Sequence, residues 1–161
     1  MEFVCIIPLE PRSWSRNRTN RGRVYRDPKD TAWKRGAVPL LRVAAREACW
    51  VRDGGPVVVE IVQVFKRPKG RPTMVHGGER VAEVPREVWA TGERVRLVTL
   101  CGKDVDRLAS LPLDALVDAG VLLDDGQVVE LRVSKWWAAS GRGACTEMRV
   151  SKCGWDSEEV V

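Results

Sequence analysis

The chain has 161 residues, enough for one domain with a real hydrophobic core, and 44% of them are apolar, which excludes a disordered protein. Net charge is +5 and unevenly spread: residues 1–52 hold 12 Lys/Arg against 5 Asp/Glu, and residues 99–161 hold 7 against 11. No run approaches 18 apolar residues, and the N-terminus lacks the basic start and long apolar core of a signal peptide, so a cytosolic protein with no membrane partner is expected.

Phe3–Ile7 is a short β-rich run closed by Pro8, a predicted strand. Glu10–Lys29 reads as a loop in which Arg12, Arg16, Arg18, Arg21, Arg23 and Arg26 are interleaved with Trp14 and Tyr25. That pattern suits phosphate contacts with stacking on exposed bases; the plainer alternative is a charged loop anchored at Trp14. Asp30–Trp50 is a predicted helix with Trp33, Ala37, Leu40, Leu41, Ala44 and Ala48 on one face. Asp30 or Thr31 is the expected cap, and Pro39 is expected to kink the helix or delay its start. After a turn at Asp53-Gly54-Gly55, Pro56–Phe65 is apolar on both faces up to Val64 and predicts a central strand.

Residues 66–93 carry Lys66, Arg67, Lys69 and Arg71 among prolines and glycines, the composition of a mobile basic loop. His76 is read as an exposed loop residue, and a short helix is expected within Glu83–Trp89. Arg94–Leu100 alternates as a strand that delivers Lys103-Asp104-Val105-Asp106. In the helix that follows, Leu108, Leu111, Ala115, Leu116 and Ala119 share one side and Gly120 closes it. Pro112 leaves two starts open: at Asp106, which puts the proline in the second turn, or after Ser110 as N-cap, which tolerates it. Val128–Lys135 and Ala144–Lys152 alternate as strands, read as a hairpin joined by 138–143 and flanked by Trp136 and Trp137. Ser157–Val161 is an acidic tail on a single domain of residues 1–156. The five cysteines form no Cys-x-x-Cys pair and are odd in number, against a zinc site and a disulfide framework. Cys5 and Cys49 fall in apolar patterns and are expected in the core.

Lys103 to Val133 carries the chemistry. Asp104 and Asp106 are two residues apart, so an extended segment aims both carboxylates to one side. If the chain turns back after Gly120, Asp124 and Asp125 approach the start of that helix. Carboxylates gathered in this way need a hard cation, and an oxygen-only ligand set suits magnesium, with manganese able to substitute.

Lys103-Asp104-Val105-Asp106-Arg107-Leu108, Leu113-Asp114-Ala115-Leu116, Ala119-Gly120 and Asp124-Asp125-Gly126-Gln127-Val128-Val129 together resemble the RusA family of Holliday junction resolvases, small dimeric endonucleases of phages and prophages. A weaker echo is Ile7-Pro8-Leu9 with Tyr25–Lys29, while Lys66–Val98 matches nothing recognisable. The resemblance implies an α/β (α+β) fold, a small mixed sheet with two main helices packed on it, in a homodimer. It implies a magnesium-dependent endodeoxyribonuclease that resolves four-way DNA junctions by paired symmetric nicks, in the cytoplasm of a bacterial host if phage-encoded. It makes Asp104, Asp106 and Asp125 the catalytic metal ligands, with Asp124 beside them. The N-terminal arginines and the cations at 66–71 then become DNA contacts. Two positions depart from the family pattern: Arg107 replaces an asparagine, and Ser110 replaces a lysine one turn after Asp106. Lys103 or Arg107 would then supply the missing cation. The departures keep a non-catalytic or weakened branched-DNA binder in view. A nucleotide phosphotransferase would want a Gly-rich phosphate loop, which is absent.

Overall fold

The computed structural model describes residues 1–13, 18–20, 23–25, 27–71, 73–76, 79–96 and 105–153. In chain order the elements are β1 (Glu2–Ile7), β2 (Arg18–Asn20), β3 (Arg23–Tyr25), α1 (Pro28–Glu47), β4 (Val57–Phe65), β5 (Thr73–His76), β6 (Glu79–Glu83), α2 (Arg86–Ala90), β7 (Val95–Arg96), α3 (Val105–Asp118), a 3-10 turn (Asp125–Gln127), β8 (Val128–Trp137) and β9 (Cys145–Lys152). The architecture is the expected α+β one: a mixed five-stranded sheet in the order β1-β9-β4-β8-β7, with α1 and α3 packed on it.

β4 lies inside the sheet with one face, Val57, Val59 and Ile61, turned to the core, while Val58, Glu60 and Val62 on the other face are only half-buried. Val57, Val59 and Ile61 are fully buried in the main core with Phe3, Cys5, Ile7, Met148 and Val150 of the neighbouring strands. It pairs parallel with β8 and antiparallel with β9. The predicted hairpin between β8 and β9 therefore does not form: the two strands flank β4, and residues 138–144 carry the chain across its end. A Gly-rich turn between two alternating runs signals a change of direction but not adjacency, and the apolar central strand takes the place between them.

α1 starts earlier than expected, with Asp27 as N-cap: its carboxylate accepts from the Lys29 N–H at 2.8 Å, and Pro28 occupies the first turn, where no N–H is needed. Asp30, one of the expected caps, is instead buried inside the helix and accepts from Arg12 Nε at 3.0 Å. The helix runs unbroken through Pro39; Arg35 and Pro39 are both exposed, so water can take the freed carbonyl. Leu40 is exposed, leaving Trp33, Ala37 and Leu41 as the buried stripe. Cys5 is core, but Cys49 is exposed and adopts φ 53° just past the helix, where the Trp50 N–H reaches back to the Ala45 carbonyl. That left-handed position ends α1 and holds Cys49 out of the core.

Two stretches expected as loops contain paired strands. β2 and β3 pair antiparallel within the arginine-rich segment, and β5 and β6 pair within the basic one. His76 ends β5 opposite Glu79 and is not a loop residue. The short helix expected before Trp89 is α2. Of the predicted strand Arg94–Leu100, β7 is described; residues 97–104 lie outside the described residues, as do 154–161 with the acidic tail.

Candidate active site

α3 begins at Val105, so Pro112 lies inside it and Ser110 is not its cap. Proline has no N–H to give the carbonyl four residues back, here that of Leu108. The gap is filled from the sheet: Gln63 Nε2 of β4 donates to the Leu108 carbonyl at 2.9 Å, and Gln63 Oε1 accepts from Thr146 Oγ1 of β9 at 2.7 Å. All three residues are 0% exposed. Each polar atom of this buried relay has a partner, which is the condition for burying it at all. Leu108 also packs with Phe65 and Trp137, the last residues of β4 and β8. Ser110 Oγ donates to the Asp106 carbonyl at 3.1 Å, tightening the first turn. The second half of α3 is tied to α1 instead. Lys34 pairs with Asp114 and Asp118, and Arg42 donates to the carbonyls of Asp118 and Ala119. Gly120 (φ 75°) then stops the helix, with the Val121 N–H returning to the Leu116 carbonyl.

Asp106 is exposed in the first turn of α3, where the helix dipole favours a negative charge. Asp125 is exposed in the 3-10 turn. That turn is a capping box: Asp124 Oδ1 accepts from the Gly126 N–H at 2.8 Å, and Gln127 Oε1 accepts from the Asp124 N–H at 3.4 Å and also from the preceding Leu123 N–H at 2.6 Å. Gln127 Nε2 donates to the Gly55 carbonyl at 2.9 Å, which fixes the turn beside the entry to β4. There Asp53 accepts from the Gly55 N–H and from Lys152, and the lysine hydrogen bond lowers its pKa from the ordinary value.

The expected return of Asp124-Asp125 to the start of the motif helix does not occur within one chain. Asp106 belongs to the end of the sheet marked by Gln63, Phe65 and Trp137, and Asp125 to the end marked by Gly55, Val57 and Val128. α3 is 14 residues long and runs between those ends, so the two carboxylates are separated by roughly 20 Å. Among the described residues no three metal-ligating side chains stand together, and neither carboxylate has a partner. The donors suit a hard divalent cation by chemistry, since both are exposed carboxylates. Asp104 and Lys103 lie outside the described residues; Arg107 is exposed beside Asp106.

Of the cations expected to meet DNA, Arg16, Arg21 and Arg26 lie outside the described residues, and Arg18 and Arg23 stand on the paired strands β2 and β3. Arg12 is engaged with Asp27 and Asp30. Arg67 stacks on Trp89 at 3.6 Å and donates to the carbonyls of Trp89 and Glu93. Both guanidinium groups therefore hold the fold together. Arg71 donates to the Val84 carbonyl at 3.5 Å, and Lys66 and Lys69 are exposed. Gln63 escaped the sequence reading. Its signal was a single amide on the otherwise apolar face of a central strand, in a chain with a proline inside the motif helix.

The described site is thus an α+β domain with one carboxylate, Asp106, exposed at a helix start that the sheet holds from below. The family model Endodeoxyribonuclease RusA matches residues 8–146, and the chain belongs to that family of endodeoxyribonucleases. The match takes in residues 66–98, which carry no motif recognisable by eye. No curated protein matches the chain. No helix among the described residues is long and apolar enough to cross a membrane.

Proposed function

We propose that this protein is a magnesium-dependent endonuclease that resolves four-way DNA junctions, and that each active site is shared between two copies of the chain. Family membership supports the nuclease reading. The observation that carries the shared site is the separation of Asp106 from Asp125 along the length of α3. In a two-fold dimer, Asp104 and Asp106 of one copy meet Asp125 of the other, and two such sites cut symmetrically placed strands. Leu123, Val129 and Leu131 are exposed around the Asp125 turn, apolar surface that the second copy covers. Magnesium, once bound, acts as a Lewis acid on the scissile phosphate. Asp106 and Asp125 hold it, Asp124 shapes the turn that presents Asp125, and Arg107 with Lys103 faces the phosphate charge in place of the family lysine. Arg16, Arg18, Arg21, Arg23 and Arg26, with Lys66, Lys69 and Arg71, guide the DNA arms.

The test is a synthetic four-way junction incubated with and without magnesium, where paired nicks that need the metal are expected. Co-expressed Asp106→Asn and Asp125→Asn chains then address the sharing. A shared site leaves one intact site in every mixed dimer and restores nicking that neither variant shows alone; no restoration means each site lies within one chain. A weaker second reading, binding without cleavage, draws on Ser110, whose hydroxyl is spent on the helix backbone and brings no cation. A shifted but uncut junction in magnesium and in manganese supports it.

A further inference from the structure

The buried relay Thr146–Gln63–Leu108 does more than fill a hole. Pro112 divides α3 into two halves with separate moorings: the second is tied to α1 by Lys34 and Arg42, and the first, which carries Asp106, is bonded to the sheet by the Gln63 amide. We infer that Gln63 is a positioning residue for the metal site: its amide, oriented by Thr146, replaces the hydrogen bond that Pro112 removes and so fixes where the first turn of α3 presents Asp106. This rests on the reading of Asp106 as a metal ligand.

The orientation is settled by chemistry. A carbonyl can only accept, so the amide nitrogen must face Leu108, and its oxygen is left for the Thr146 hydroxyl at 2.7 Å. Gln63 touches neither DNA nor metal, being 0% exposed beneath the helix. Groups that orient a metal ligand from behind affect metal affinity more than their distance suggests. Leucine at 63 keeps approximate volume and removes the donor. The Leu108 carbonyl is then buried without a partner and the first half of α3 shifts to find one.

Pro112 supplies the decisive control. Alanine at 112 restores an N–H to the chain at the position from which a regular helix would bond the Leu108 carbonyl. Four proteins are compared: wild type, Gln63→Leu, Pro112→Ala and the double variant. Single-turnover cleavage of a four-way junction is followed at saturating protein over a magnesium titration, with thermal melting measured alongside. Gln63→Leu should raise the magnesium concentration at half-maximal rate by about 10-fold, and adding Pro112→Ala should bring it back most of the way. A purely structural role lowers the melting temperature of Gln63→Leu but leaves the magnesium midpoint of the folded protein where it was, and that result overturns the inference. So does a double variant no better than Gln63→Leu alone. If Gln63→Leu fails to fold, Thr146→Val, which removes only the orienting hydroxyl, must shift the midpoint in the same direction; an unmoved midpoint refutes the proposal. Wild type that does not cleave in any metal refutes the nuclease reading itself and this inference with it, whereas active wild type with unmoved variants refutes the inference alone.

Discussion

Asp106 and Asp125 serve one proposed site but are held by opposite means. Asp106 rides on a helix whose first half is fastened from below, through buried atoms of two sheet strands. Asp125 stands on an exposed turn fastened from the side, by the Asp124–Gln127 box and one bond to Gly55. The difference teaches that stability and function are coupled on one side of the site and separable on the other. Disturbing what lies under Asp106 disturbs the core, while disturbing the turn under Asp125 leaves the core alone.

The largest effect is expected at Asp106 itself. Asp106→Asn should lower single-turnover cleavage by at least ~10²-fold while junction binding persists, because the substitution removes the proposed metal ligand and a negative charge together. Wild-type rates in that protein would end the assignment. Next comes Leu108→Ala, which empties the pocket formed with Phe65 and Trp137 under the same turn. A cost of about 2–5 kcal/mol in denaturant unfolding is expected, together with impaired cleavage. Gln127→Ala sharpens the contrast. It removes the acceptor of the Leu123 N–H and the donor to Gly55 at a partly exposed site. Global stability should fall by only about 1 kcal/mol, yet more magnesium should be needed for cleavage; equal loss of stability in the two variants would erase the distinction. The smallest effect concerns Asp53. Its pKa is lowered by the Lys152 hydrogen bond, so its contribution is present above the ordinary carboxylate pKa and is lost as pH falls through the lowered one. Asp53→Asn should melt slightly below wild type at neutral pH and together with it in strong acid; a gap that persists in acid points to some other cause.

Much of this was legible in the sequence, and the failures share one origin. Periodicity gave β1, α1, β4, α3, β8 and β9 nearly at their bounds, because each buries one stripe or face against the same core. Gly120 ended α3 as its backbone freedom predicts. The errors lie in what the chain does between elements. Whether residues 138–144 close a hairpin or cross β4 depends on which strands pair, and local composition carries no record of that. For the same reason Asp124-Asp125 was expected beside Asp106: the spacing of the two motifs does not say that α3 runs from one end of the sheet to the other between them. Pro112 was read as a conflict between two helix starts, when its partner was an amide 49 residues earlier in the chain, on a strand chosen by tertiary packing.

The place of β9 has a consequence for how the chain is made. β1, made before every other element of the sheet, pairs among the described strands with β9, and β9 also closes the other side of β4. On the ribosome β1 therefore waits, with both edges open, until β9 has emerged, and pairings of such long sequence separation are slow to form. A nascent or prematurely terminated chain ending before Cys145 leaves β1 and one edge of β4 unpaired at once, two apolar strands with free backbone groups. Such fragments are ready substrates for chaperones and proteases.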